Sequence, residues 1–483
     1  MRLRVVLHYL GFVTIFLGLF MLLPLGFCLF HKESDGLAFL ISIVLSLISG
    51  LLLWRLTPIK VGNLGLREVI AIVVFSWISV SALSAVAYTI SGTLPNYLDA
   101  FFESMAGFTT TGATVFTSLE TQPHGILLWR SLTQWLGGMG IIMFFVVLFP
   151  IVGIGAAKLV QAETPGQETA RLTARIRDTF KILLTIYIGL TACEFIFLYL
   201  VGLPFFDALT VSLSTIATGG FAPTDLSIGA YNNVLVESIV IFFMIAAGVN
   251  FSLYYLAVWK RQPKSLFKNS EFKLYIAVLV VATLAINIDL IVNLGLPLGQ
   301  ALRESSFQSV SLVTTTGFAT TDFNTWPTFS RSVILVLMVV GASAGSTGGA
   351  LKVVRFLILF KYAYRSILKY INPRRILTFK VDGNEVSDDV ITKAISFTIL
   401  YLGVICISYL IMSAIGLDFD TALSSVTSCI GNVGPGLGLV GPEENYFLIP
   451  VLGKIVLIVC MLAGRVEIFT LFVIFIPSFW KWR

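Results

Sequence analysis

Ten stretches of the chain are long and continuously hydrophobic, and between the members of the last four pairs sits a shorter segment of different character. The hydrophobic stretches run over about 8–30, 37–54, 68–91, 127–155, 180–201, 233–258, 273–296, 331–360, 393–415 and 449–478. Each approaches or exceeds the ~20 residues that a helix needs to cross a hydrocarbon core. The interleaved segments, near 98–115, 206–224, 303–321 and 419–438, are too short and too rich in Ser, Thr and Gly to face lipid. The pattern predicts an all-α membrane protein with ten transmembrane helices. Residues 9–30 follow MRLRVVLH and resemble a signal peptide in outline, but the apolar run is long and lacks a small-residue cleavage site before His31. It reads as a retained first helix.

Basic residues set the orientation. Arg55, Lys60 and Arg67 fall on one side, with Lys158, Arg171, Arg175, Arg177 and Lys181. Lys260, Arg261, Lys264, Lys268 and Lys273 share that side, as does the long stretch from Lys361 to Lys393. This side is the cytoplasm. Asp99, Glu103, Glu120, Asp207, Asp225, Glu304, Asp322, Asp418, Asp420, Glu443 and Glu444 fall on the other. An even span number puts both termini in the cytoplasm.

Composition agrees with this picture and narrows the chemistry. Of 483 residues, 57% are hydrophobic and 12% charged, against about 25% charged in a soluble domain. The net charge of +6 lies between hydrophobic segments, as in membrane-protein loops, so nucleic acid is not the expected partner. Cys28, Cys193, Cys406, Cys429 and Cys460 have neither metal-ligand nor disulfide spacing. His8, His31 and His124 share no motif, and no HExxH or intramembrane Ser–His set is present. Enzymatic chemistry is not expected.

The four semi-polar segments repeat one another. They read DAFFESMAGFTTTGAT from Asp99, DALTVSLSTIATGGFA from Asp207, ESSFQSVSLVTTTGFA from Glu304 and TALSSVTSCIGNVGPG from Thr421. With Gly112, Gly220, Gly317 and Gly434 in one column, Asp99, Asp207 and Glu304 each stand 13 residues earlier, and Thr421 takes that place in the fourth. An acid or Thr suits the N-terminus of a short helix, where free N–H groups and the dipole favour it. The C-terminal end then points its partial negative charge inward, and the following T-T-T-G returns outward as extended backbone. Such backbone is tolerated at membrane depth only where protein buries it or water lines it. Four such loops around an axis make rings of carbonyl oxygens, which replace the hydration shell of a potassium ion.

These segments resemble the Trk/Ktr/HKT superfamily of potassium transporters, bacterial Trk-H/Trk-G type, over nearly the whole chain. Further carriers are QWLGGMGI at 134–141, AETPG at 162–166, STIATGGF at 214–221, TTTGFATT at 314–321, AGSTGGALKVVR at 344–355, NVGPGLG at 432–438 and GRVEIFT at 464–470. The resemblance implies one pseudo-fourfold pore from four repeats of helix, pore helix and helix. These occupy 63–160, 161–262, 263–375 and 376–483, after an N-terminal helix pair over 1–62. It also implies a homodimer in the bacterial inner membrane, and a cytoplasmic RCK-type regulatory subunit (Trk-A type) that binds NAD or ATP. Carried onto this chain, the potassium-binding filter comprises Thr110, Thr111, Gly112, Thr218, Gly219, Gly220, Thr315, Thr316, Gly317, Asn432, Val433 and Gly434. Serine at the first filter glycine accompanies sodium transport in plant members, whereas all four columns here hold glycine. The chain departs from the commoner pattern at Thr218 and at Ala350, where a third glycine is expected.

The eighth span is interrupted at 341–350 by GASAGSTGGA, whose glycines each weaken a helix by about 1 kcal/mol relative to Ala. A broken helix or a loop across the pore is expected there. It resembles the family's intramembrane gating loop, with Gly345, Ser346, Thr347, Gly348 and Gly349 at its centre. Gly137, Gly138 and Gly140 read instead as close helix packing. Arg465, central in the last span, costs at least about 2.5 kcal/mol in lipid. It should face the pore and repel cations as part of the gate, or else pair with a buried acid. Glu467, two residues on, lies on a different helix face. Lys352 and Arg355 read as inside-positive anchors or as a coupling to the regulatory subunit, and Lys361 to Lys393 as a topogenic stretch or a docking surface. Glu443 and Glu444 concentrate cations at the outer entrance. The expected function is potassium uptake. A sodium-coupled or sodium-permeable transporter of the same superfamily is the alternative, and a proton relay is disfavoured by acids placed mostly at span ends.

Overall fold

A computed structural model describes residues 2–58, 65–152, 169–372, 380–382 and 384–481. AETPG at 162–166, Lys60, Lys158 and the divisions at 62/63, 160/161 and 375/376 lie outside these residues. Apart from a two-residue strand pair, Lys380–Val381 with Asn384–Glu385, the described elements are helices. Six are long and apolar enough to cross a membrane without a break, or up to eight if each sharply bent pair counts as one span.

Four short helices stand between long ones: Tyr97–Phe108, Phe205–Ile216, Leu298–Val313 and Phe419–Gly431. Their starts differ from expectation in detail. Asp99, Asp207 and Asp420 lie in first turns, but the capping side chains are Asn96, which accepts from the Leu98 N–H, and Asp418, which accepts from the Thr421 N–H. The third helix begins at Leu298 behind Pro297, so Glu304 falls in its second turn rather than at its head. Proline before the first turn forfeits no helical hydrogen bond.

Each short helix is tied to the long helix that closes the preceding repeat. Lys454 pairs with Asp99 at 2.5 Å, Arg303 with Glu237 at 2.7 Å, and Arg331 with Asp420. At the remaining junction His124 sets its ring against Phe206 at 4.8 Å and bonds Glu33 of the N-terminal hairpin. Neighbour clasps neighbour around a closed circle.

Three of the predicted spans do not run through. The sixth turns by 94° between Val234–Gly248 and Phe251–Val258, where the Asn250 side chain caps a new helix by accepting from the Ser252 N–H. The eighth stops at Val340 and resumes only at Val353. The tenth turns by 116° after Arg465, and Glu467 adopts a positive φ of 61° before Ile468–Ile474 begins. Arg465 therefore ends a helix instead of interrupting one, and Glu467 shares no helix with it.

Candidate functional site

All four short helices end alike. The residue two before the column glycine takes a left-handed conformation: Thr110 at φ 50°, Thr218 at 52°, Thr315 at 58° and Asn432 at 53°. The N–H groups that follow the turn bond back onto the helix at matching positions. Thr111 bonds the Ala106 carbonyl at 2.8 Å, Gly219 the Ser214 carbonyl at 2.9 Å, Thr316 the Ser311 carbonyl at 2.9 Å, and Val433 the Ser428 carbonyl at 2.9 Å. This closure is the Schellman type, which glycine usually provides. A β-branched residue at positive φ is a backbone outlier, and strain of that kind persists where surrounding contacts over-determine it. Here three threonines accept it.

The column glycines interlock in order. A Cβ on Gly112 would meet the Gly219 carbonyl oxygen, one on Gly220 that of Thr316, one on Gly317 that of Val433, and one on Gly434 that of Thr111. Every such approach is under 3.0 Å, closer than any side chain allows. Loop one meets two, two meets three, three meets four, and four meets one. The φ of 78–106° at these glycines adds the second reason for the residue type.

Side chains behind the loops hold them in place. Gln134 spans the turn of the second loop, donating from Nε2 to the Gly219 carbonyl at 2.6 Å while Oε1 accepts the Phe221 N–H at 3.0 Å. Asn432 donates to the Thr111 hydroxyl and to the Met461 carbonyl, each at 3.0 Å. The Tyr446 hydroxyl donates to the Gly434 carbonyl at 2.7 Å. Outward of the glycines lies an open chamber of about 70 Å³, with Asp225 and Glu444 in its wall. At its rim, partial burial together with Asp322 and Glu444 pushes the Glu443 carboxyl above its ordinary value.

On the inner side, residues 341–352 lie across the helix ends. Thr347 donates its hydroxyl towards the Ile216 and Ala247 carbonyls at 3.1 and 3.3 Å. The Gly349 N–H donates to the Thr315 hydroxyl at 2.7 Å, and a Cβ on Gly349 would meet the Gly431 carbonyl. The segment thus touches three of the four short-helix ends. Its flanks are anchored by Phe251 N–H to the Gly345 carbonyl at 3.0 Å and by Ala344 N–H to Glu271 at 2.6 Å. Ser346 is buried and donates to the Ser343 carbonyl.

Two buried cations meet this segment. Arg465, 2% exposed, donates to the Thr347 carbonyl at 2.8 Å and to the Gly137 carbonyl at 2.9 Å. Lys352 donates to the Gly348 carbonyl. Between Gly348, Gly349, Lys352 and Arg465 the void is only about 10 Å³, room for about one water at most. Arg465 meets no acid among the described residues. Glu467 pairs instead with Arg355 at 2.8 Å, and the Arg355 guanidinium lies 3.8 Å from the Phe397 ring. The close-packing reading of Gly137 and Gly138 also has a direct counterpart, since a Cβ on either would enter the backbone of Phe108 or Ala217 or the Tyr187 side chain.

Every filter and gate residue expected from the sequence therefore sits in one of two adjoining layers. The sequence reading missed the clamps: Arg130 and Gln134 behind the loops, Asn250 at the sixth-span turn, and Tyr446. It also passed over Glu194, fully buried in the apolar run 180–201 beside Thr215.

Comparisons with known proteins agree with this geometry. A family model described as TrkH, cation transport protein, matches residues 36–482. The Trk system potassium uptake protein TrkH of Salmonella typhimurium is 36% identical over the full length of both chains. The Trk system potassium uptake protein TrkG of Escherichia coli is 33% identical over 99% of each. The crystal structure of the potassium transporter TrkH from Vibrio parahaemolyticus superposes with a TM-score of 0.92 at 34% identity, covering both chains completely. Nearly the entire chain is matched, by sequence and by shape, and it belongs to the TrkH family of cation transport proteins.

Proposed function

We propose that this chain is the pore subunit of a potassium uptake system, with ions passing through the ring of four loops. The observation that carries this reading is the closed interlock of the four glycines with the next loop's carbonyl. It brings four helix C-termini, each with partial negative charge, to one place at membrane depth. Backbone carbonyls held at fixed spacing are the means by which a filter replaces potassium's hydration shell. The filter consists of Thr110 to Gly112, Thr218 to Gly220, Thr315 to Gly317 and Asn432 to Gly434. The chain comprises ten spans, arranged as an N-terminal pair and four repeats with the limits given above.

The segment 341–352 acts as the gate, and Arg465 supplies a positive charge under the filter that opposes cation entry. Opening requires the loop to leave its contacts with Ile216, Thr315 and Gly431. A cytoplasmic nucleotide-binding subunit of the RCK type, carrying NAD or ATP, drives that movement in a homodimeric assembly. The inner membrane of a bacterium is the setting, with both termini in the cytoplasm, and the basic stretch from Lys361 to Lys393 is the docking surface.

Cation flux into liposomes carrying the purified chain and its regulatory subunit tests the proposal. Wild type should pass potassium in preference to sodium, and Gly112→Ser and Gly317→Ser should lose that preference. Absence of flux with partner and nucleotide present would overturn the transport reading. Flux with unchanged selectivity in both variants would move the filter elsewhere.

A further inference from the structure

Behind the first loop lies a charge pair that the gate and the filter carbonyls do not account for. Glu103, on the short helix Tyr97–Phe108, is fully buried, and the Arg130 side chain is 2% exposed. Arg130 Nε donates to Glu103 Oε1 at 2.8 Å. Withdrawing both charges from solvent brings little net stability compared with apolar residues of the same size. The contacts of the pair point to another role.

Glu103 reaches the strand that leaves the filter. Its Oε2 accepts the Val115 N–H at 2.9 Å, and its carboxylate accepts the Thr114 hydroxyl at 3.1 Å. Arg130 reaches two loops at once. One terminal nitrogen donates to the Thr114 hydroxyl and the other to the Ala222 carbonyl, both at 3.2 Å. The guanidinium is braced by the Phe221 ring at 4.0 Å and the Phe116 ring at 5.3 Å. Thr114 and Ala222 are each two residues past their column glycines. The contact extends to a third loop, because the Thr114 carbonyl accepts the Tyr446 N–H at 2.8 Å, and the Tyr446 hydroxyl holds the Gly434 carbonyl.

The arrangement is confined to one side of the ring. Glu103 stands nine residues before Gly112, and the matching positions are Val211, Gln308 and Ser425, none of them charged. Among the described residues the Gln308 side chain makes one long 3.5 Å contact, to Thr320. A planar guanidinium with its donors in a fixed fork fixes the directions of several acceptors together, as a flexible neutral side chain does not.

We propose that Glu103 and Arg130 are positioning residues for selectivity: together they set the spacing of the first, second and fourth loops just outside the filter glycines, and so set the preference for potassium over sodium. The proposal rests on the filter reading above. Its substance is a charged strut on one side of the ring that trims the carbonyl spacing, where the third loop is held by neutral side chains, the Ser311 hydroxyl donating to the Phe318 carbonyl at 2.6 Å and the Ser227 hydroxyl accepting the Ala319 N–H at 3.2 Å.

The test is the potassium-to-sodium flux ratio in liposomes, measured on the full chain with its regulatory subunit, beside a thermal unfolding curve. Glu103→Gln and Arg130→Gln should lower the ratio by about tenfold, as expected when carbonyl spacing is relaxed, and Arg130→Lys should recover part of it. Thr114→Val removes one shared hydroxyl and should lower the ratio by about threefold, in keeping with one lost hydrogen bond. Arg303→Gln breaks a pair that bonds no filter loop among the described residues. It should reduce thermal stability and leave the ratio unchanged. If the glutamine variants do not fold, Thr114→Val and Arg130→Lys carry the test. Unchanged ratios in the folded variants, with Gly112→Ser still losing selectivity, overturn the strut and leave the filter standing. Unchanged ratios in Gly112→Ser as well overturn the filter reading itself.

Discussion

The outer layer of this protein is built four times, and the inner layer once. Around the glycine ring, four helices end in the same left-handed turn, with the same backward hydrogen bond and the same glycine pressed on the next loop. Beneath it, among the described residues, only the third repeat supplies a segment across the helix ends, and that segment is held by individual donors such as Thr347, Gly349 and Arg465. On the proposed reading of filter and gate, the difference follows from the physical demand on each layer. Coordinating a naked cation needs matched oxygens from all sides, and a repeated turn provides them. A gate needs two states of similar free energy, which a few separable hydrogen bonds permit and an interlocked ring does not. On the proposed reading, rigidity is repeated and switching is singular.

The sharpest way to break the comparison is at the ring. Gly317→Ala puts a methyl group against the Val433 carbonyl and the Pro435 ring at a φ of 82°. It should cut the potassium-to-sodium flux ratio about tenfold or abolish conduction, because the clash lies on backbone that a filter cannot move. A selective, fully active variant would show that the loops are not interlocked. Next comes Arg465→Ala, which removes the buried charge and two loop contacts. Potassium flux without the regulatory subunit should rise about tenfold, in line with the cost of a buried charge in the path. Unchanged leak in vesicles would remove the electrostatic gate.

A smaller effect is expected from Thr347→Val, which deletes the hydroxyl's contacts with Ile216 and Ala247. With a hydrogen bond contributing about 1 kcal/mol, unstimulated flux should rise about fivefold, and a fall would assign Thr347 to the open state instead. The smallest effect belongs to the rim. The Glu443 carboxyl is raised by burial and neighbouring acids, so it loses its charge at a higher pH than an ordinary glutamate. Lowering external pH from about 7 to about 5 should reduce uptake by roughly twofold at low salt, as entrance charge is neutralised. Glu443→Gln should start lower and respond less. Equal pH responses in both would place the sensitivity elsewhere.

The ring was legible in the sequence because its requirements are local. A left-handed residue, a glycine two places later and a short polar helix before them leave a repeated string, and four copies reinforce one another. The bends were not legible. The stretches 233–258 and 449–478 are predominantly apolar, and the turns after Gly248 and Arg465 depend on partners far away in sequence: Gly345 for Phe251, and Thr347 and Gly137 for Arg465. Asn250 was the one local sign, a favoured helix-capping residue inside a hydrophobic run. Arg465 was rightly singled out as a costly charge, but its acceptors are carbonyls released where helices break. Glu103 was counted among the outer acids and Arg130 passed over, because a pair 27 residues apart shows no spacing rule. Glu304 was assigned to a helix start by alignment, whereas Pro297 fixes that start at Leu298, six residues earlier.

The four glycines interlock within a single polypeptide, and this has a consequence for how such a pore can change over generations. In an assembly of identical subunits, one substitution alters every quadrant of the ring together, and selectivity survives or collapses at a stroke. Here each quadrant has its own codons. A change at Gly220 leaves the codons for Gly112, Gly317 and Gly434 as they were, and the altered quadrant is felt through the two loops it abuts, those of Gly112 and Gly317. The charged strut proposed for one side of the ring is a trait that only such an arrangement can hold, and with it ion preference would drift in steps of one quarter.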